Sequence, residues 1–175
     1  MFKYLKLLFF TFVLWSYTSF STPLHVAFIG DSISLELKPY LKRAIPDIYV
    51  NGRVGRQFYS VFDVLKRINI KDYNVFVIEL GTNGYVKPYD LKRLIKILHN
   101  KEIYLCTIEL PNKYIWKHEV NNLYFEASKE YPNVKVIDWY DFSKNHPQFF
   151  ISDGVHLTRL GTREYAKLIV DSLIR

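Results

Sequence analysis

Short, β-branched apolar runs recur through this chain, each closed by a glycine or proline turn and separated by stretches with helical apolar spacing. Neighbouring parallel strands need a crossover of a dozen or more residues, usually a helix. The alternation therefore predicts a parallel sheet covered by helices on both faces. Residues 24–29, 48–50, 75–80, 103–108 and 134–138 supply five strands. Leu37, Leu41 and Ile45 mark a helix over 35–45 with Pro39 in its first turn, and Phe58, Val61, Phe62, Leu65 and Ile68 mark another over 57–68. Leu91, Leu94, Ile95 and Leu98 define a third helix. Trp116, Val120, Leu123 and Ala127 share one face of a fourth, opened by Pro111-Asn112 and closed near Glu130. Tyr165, Ile169 and Leu173 are in register on the last, over 160–174. The expected fold class is α/β, with a five-stranded parallel sheet in flavodoxin-like order.

A length of 175 residues suits one well-buried core rather than two full-sized domains. Residues 3–15 pair a basic start, Lys3 and Lys6, with an apolar run from Leu7 to Trp15 interrupted by Thr11, and Ser19 and Ser21 follow at signal-peptidase spacing. This reads as a secretory signal over 1–21, with a retained anchor as the alternative, leaving 22–175 as a single domain in a secreted or periplasmic location. The lone Cys106 lies inside an apolar run and suits an inert core thiol. Of the formal charge of +7, Lys3 and Lys6 in the leader contribute two. The remaining cations are scattered, with the pairs Lys42-Arg43, Lys66-Arg67 and Lys92-Arg93 each falling once per predicted helix, as solvated faces or as a surface for anionic cell-envelope material, with no nucleic acid expected.

The loops after the strands hold the chemistry. Gly30-Asp31-Ser32 follows the first strand, and in an open α/β sheet ligands bind beyond the carboxyl ends of strands. Ser32 is the candidate nucleophile. Asp153 and His156 lie three residues apart in a turn leading into the last helix. That spacing lets a carboxylate orient one imidazole nitrogen while the other faces a serine, as acyl transfer requires. The oxyanion of such a reaction needs donors, and three are available: the backbone N–H groups of Ser32 and Gly55 and the side-chain amide of Asn83.

Together Gly30-Asp31-Ser32, Gly55, Gly81-Thr82-Asn83 and Asp153-x-x-His156 resemble, in order, the four sequence blocks of the SGNH, or GDSL-type, hydrolases. The resemblance implies a three-layer αβα sandwich, ester chemistry without metal or organic cofactor, Ser32 as nucleophile, His156 as base and Asp153 as its orienter. It also implies an oxyanion hole of Ser32, Gly55 and Asn83. The strings Val54-Gly55-Arg56-Gln57 and Glu79-Leu80-Gly81-Thr82-Asn83-Gly84 are similar to the extracytoplasmic SGNH domains of peptidoglycan O-acetyltransferases. That narrower likeness implies an acyl ester substrate, in particular an acetylated cell-envelope glycan, and a membrane protein as possible acetyl donor. Water and a sugar hydroxyl remain open as acyl acceptors, as do other small esters.

The residues disfavour the competing chemistries. There is no His-Glu-x-x-His and no cysteine cluster for a metal, and Gly52-x-x-Gly55 leaves a dinucleotide fingerprint incomplete. A non-catalytic wall-binding module is the remaining alternative. His25, His99, His118 and His146 have no comparable partners and read as surface or packing residues. The aromatic-rich stretch 139–150 is expected to be a loop whose Trp139 and Tyr140 contact substrate, unless the rings pack beneath it as a satellite core.

Overall fold

A computed structural model describes residues 23–174; the expected leader over 1–21 lies outside them. Among the described residues β1 (Val26–Gly30), β2 (Tyr49–Gly52), β3 (Val75–Glu79), β4 (Glu102–Cys106) and β5 (Val134–Ile137) form a fully parallel sheet ordered β2-β1-β3-β4-β5. This is the expected flavodoxin-like order, and it puts the topological switch between β1 and β3.

Side chains alternate across a strand, so each central strand feeds two cores. Ala27, Ile29, Phe76, Ile78, Ile103 and Leu105 face one layer, which contains α2 (Val61–Leu65), α3 (Pro88–Ile97) and α4 (Lys117–Glu130). Val26, Phe28, Val75, Val77, Tyr104 and Cys106 face the other, with α1 (Ser32–Ala44), α5 (Trp139–Ser143) and α6 (Arg159–Leu173). The result is the three-layer αβα sandwich. Cys106 is buried, and burial raises its thiol far above the ordinary range, which suits a packing role.

Strand positions follow the sequence reading, whereas several helix boundaries differ. The first helix begins three residues early, at Ser32, because the Asp31 carboxylate caps it by accepting from the Ile33 N–H at 3.0 Å. Pro39 therefore lies inside α1 rather than in its first turn, on an exposed face. The expected helix over 57–68 splits into a 3₁₀ turn, Phe58–Ser60, and the short α2. Ser60 Oγ donates to the Gln57 carbonyl at 2.9 Å and accepts from Arg53 at 3.1 Å, which tightens that first turn. The fourth helix starts at Lys117, not Pro111. Residues 111–116 form turns instead, closed by a Tyr114 N–H bond to the Pro111 carbonyl.

Candidate active site

The position of Ser32, the candidate nucleophile, is built by the junction of β1 and α1. Gly30 ends the strand where a Cβ would meet the Glu79 carboxylate at 2.6 Å and the Glu79 carbonyl at 2.8 Å, so only glycine fits. Asp31 then caps the helix, and Ser32 occupies its first position, where a backbone N–H has no intrahelical partner. That leaves the Ser32 N–H available as a donor.

The partner loop closes on itself before it delivers its histidine. Phe150 and Leu157 form an antiparallel bridge, the Ile151 N–H donates to the His156 carbonyl at 2.9 Å, and Gly154 takes φ +70°. Asp153 Oδ1 accepts from the backbone N–H groups of Val155 at 2.8 Å and His156 at 2.9 Å. Its other oxygen lies 2.7 Å from His156 Nδ1, and His156 Nε2 lies 3.1 Å from Ser32 Oγ. Thr158 caps α6 by accepting from the Gly161 N–H at 3.2 Å. Three residues separated by up to 124 positions thus share one hydrogen-bonded line. The Asp153 hydrogen bond is the largest influence on His156 and raises its pKa above the ordinary value, with burial opposing. Burial alone would raise Asp153, but the His156 ring and the two backbone donors overcome it and hold the carboxylate below its usual range.

Asn83 and Gly55 approach from neighbouring strands. The Asn83 side-chain amide donates to Asp31 Oδ2 at 2.9 Å, and the Asn83 backbone carbonyl accepts from the Gln57 side chain at 2.5 Å, so both ends of the residue are held beside the turn at Ser32. One amide hydrogen remains for another acceptor. Gly55 takes φ +67°, a conformation that favours glycine, and a Cβ there would meet nothing within 4 Å. Its loop is fastened to the end of β1 by the Arg53 N–H at 3.3 Å and by Arg56 Nη1 at 2.9 Å, both donating to the Gly30 carbonyl. Arg56 also donates to the Asn51 carbonyl and, at 2.6 Å, to the Asn51 side chain.

Two buried acids lie behind this turn. Asp31 is fully buried, and desolvation raises its carboxyl to about 6 despite hydrogen bonds from Ile33, Thr82 and Asn83. Glu79 at the end of β3 is raised well above its ordinary value, first by burial and then by the charge of Asp31.

The structure corrects the substrate-wall expectation for Trp139. That ring is 3% exposed and stacks on Tyr165 with centroids 4.1 Å apart and planes 11° from parallel, with Phe149 on another side. The stretch 139–150 is not a loop but α5 followed by the 3₁₀ turn Pro147–Phe149, and it packs as a satellite of the core. Tyr140 is half-buried between the ammonium groups of Lys117 and Lys144 and does not line the cleft at His156. That cleft, of about 320 Å³, is walled instead by Thr82, Asn83, Leu110, Tyr114, Trp116 and Val155, beside Asp153 and His156. Trp116 is fixed there by donating its indole N–H to the Gly81 carbonyl at 3.0 Å. Glu36, also absent from the sequence reading, accepts the Leu157 N–H at 3.0 Å and ties α1 to the histidine loop. A glutamate on an exposed-looking helix turn gives no local signal of such a long-range bond.

The fold is shared with a Slackia heliotrinireducens protein described as an SGNH hydrolase, at TM-score 0.68 and 12% identity over 87% of this chain and 100% of that one. The sequence narrows the likeness further: it is 38% identical over 144 residues to peptidoglycan O-acetyltransferase OatA of Listeria monocytogenes, covering 81% of this chain and 22% of that protein. The C-terminal catalytic domain of Streptococcus pneumoniae OatA, solved with a methylsulfonyl adduct, superposes at TM-score 0.75 and 22% identity over 86% of this chain and 93% of that one. The chain spans 22 to 24% of the length of the O-acetyltransferases it matches. No protein-family model matches it.

Proposed function

We propose that this chain moves acetyl groups to or from the hydroxyls of a cell-envelope glycan through an acyl-Ser32 intermediate. The observation that carries the reading is the continuous Asp153–His156–Ser32 line, at 2.7 and 3.1 Å. In the first half-reaction Ser32 Oγ attacks the acetyl carbonyl carbon while His156 Nε2 accepts its proton. The new imidazolium is stabilised by the ionised Asp153. The carbonyl oxygen becomes an oxyanion held by the Ser32 and Gly55 N–H groups and the free hydrogen of the Asn83 amide. On collapse, the bond to the leaving oxygen breaks and His156 returns the proton to it. In the second half-reaction an acceptor O–H gives its proton to His156 and attacks the acyl carbon. His156 then reprotonates Ser32 Oγ. A glycan hydroxyl as acceptor yields transfer, water yields hydrolysis, and the same residues serve both.

The O-acetyltransferase relatives support a peptidoglycan-type sugar as the alcohol. Tyr114 and Trp116 supply the aromatic faces on which a pyranose ring lies. In this reading the domain works outside the cytoplasm, with residues 1–21 as leader or anchor, and draws acetyl from a separate membrane acyltransferase. Among the described residues no helix is long and apolar enough to cross a membrane.

The test is incubation of the purified protein with an activated acetyl ester, with and without a chitin-type oligosaccharide, beside Ser32→Ala, with products read by mass spectrometry. Acetylated sugar that depends on Ser32 is the expected result. Free acetate at one rate regardless of sugar assigns an esterase. If Ser32→Ala matches the parent, the acyl-serine mechanism is wrong and a wall-binding module becomes the better account.

A further inference from the structure

We infer that a groove beside the catalytic cleft is a second saccharide subsite, holding the neutral sugar unit next to the one whose ester meets Ser32. The inference rests on the glycan reading above. The groove, of about 300 Å³, is lined among others by Glu109, Pro111, Lys144, Pro147, Phe150 and Ser152. It shares a thin wall with the cleft, because consecutive residues line the two: Glu109 and Pro111 face the groove and Leu110 the cleft, while Ser152 and Gly154 face the groove and Asp153 and Val155 the cleft. Gly154 packs so closely on Pro111 that a Cβ would lie 2.8 Å from its Cγ. A glycan strand crossing that ridge would occupy both hollows.

The groove also has a built polar end. Lys117, 4% exposed, donates to both Glu109 oxygens at 3.1 and 3.4 Å and to the Leu110 carbonyl at 2.7 Å. Burying an ion pair is a costly way to gain stability, since apolar packing of the same volume does as well or better. Here the arrangement fixes a carboxylate at the groove with lone pairs to spare, and the same ammonium holds the backbone of the cleft wall. A fixed carboxylate is a preorganised acceptor for sugar hydroxyls, while Pro111, Pro147 and Phe150 offer apolar faces to ring C–H groups. Charge is balanced throughout, since Lys117 pairs with Glu109 and Lys144 with Asp141. This favours an uncharged hexosamine over an anionic unit.

The test measures binding of N-acetylglucosamine and its chitin-type dimer to Ser32→Ala protein by calorimetry, so that no turnover intervenes. The dimer should bind about tenfold tighter, the gain of one hydrogen bond to a charged group. Glu109→Gln should bring the ratio close to one. Where that variant loses its fold by stranding Lys117, Lys144→Ala on the exposed rim should still lower the ratio about threefold. Equal affinities in the parent background, or a ratio unmoved by either substitution, overturn the subsite. Ser32-dependent acetate release from an activated ester is followed separately. Its absence alongside a length preference would reject the catalytic reading while keeping the groove.

Discussion

Two pairs of titratable residues flank Ser32 in the fold and behave in opposite ways. Asp153 and His156 have side chains 44% and 40% exposed, and each favours the charged form of the other. Asp31 and Glu79 are 0% and 2% exposed; burial raises both, and the charge of Asp31 raises Glu79 beyond what burial already does. Carboxylates of similar intrinsic acidity therefore acquire different surroundings-dependent charge states. The exposed one is held toward its ionised form and fixes the His156 ring through Nδ1. The buried ones hold the turn: Asp31 caps α1 and grips the Asn83 amide, while Glu79, shifted toward its protonated form by burial, accepts the Asp31 N–H at 3.4 Å.

Removing the exposed acid should break this contrast most severely. Asp153→Asn leaves a side chain of the same shape but presents His156 with the wrong tautomer, and kcat should fall by about 10⁴. His156 loses the main cause of its raised pKa, so its NMR titration should move toward the ordinary histidine value. In the parent, His156 must be neutral to accept a proton, so kcat/KM should rise with pH through the raised His156 pKa. An unmoved titration in Asp153→Asn would break the link between these two residues. Next in size is Asn83→Ala, expected to lower kcat by about 10²–10³ with little change in KM, the effect of losing one oxyanion donor.

The buried pair should show itself mainly in stability. A group whose folded pKa is raised stabilises the fold fully below its unfolded pKa, and that contribution is lost as pH rises through the folded value. For Asp31, raised from 3.8 to about 6, stability should fall between those limits. The loss is about 3 kcal/mol at neutral pH. Asp31→Asn carries no charge to bury and should flatten that slope in urea unfolding at pH 4.5 and 7.5, while kcat drops because two amide groups now face each other. A slope unchanged in the variant would assign the pH dependence to Glu79 or Glu36.

What the sequence revealed divides along the same line between local and long-range causes. Strands were legible because β-branched runs such as 75–80 end at turn residues, and the sheet order followed from right-handed crossovers. Asp153 and His156 were legible because their relation is contained in one turn. Helix starts were not, since α1 begins where a buried aspartate caps it and the turn at Gln57 is tightened by bonds from Arg53 and to Asn83. Aromatic density at 139–150 does not tell inside from outside, and Trp139 went to the core. Trp116 read as a helix face, although it precedes α4 and forms a cleft wall. Lys117 and Arg56 looked like solvated charges, yet both are buried and pin carbonyls of the site loops.

Glu36 joins the two pairs and gives the finest test of how separate they are. Its carboxylate holds the Leu157 N–H, and its charge adds to the influences that raise His156, behind those of Asp153. Burial raises Glu36 itself, opposed by that same Leu157 bond. Glu36→Gln keeps an acceptor for Leu157 and removes only the charge, so the stability change should stay below about 1 kcal/mol. The titration of His156 should still move downward, by less than in Asp153→Asn, carrying the alkaline rise of kcat/KM to lower pH. Glu36→Ala removes the acceptor as well and should loosen the histidine loop, seen as faster amide exchange at Leu157. If Glu36→Gln leaves the His156 titration in place while Glu36→Ala frees the loop, Glu36 acts through geometry alone, and the His156 charge answers to Asp153 without help from α1.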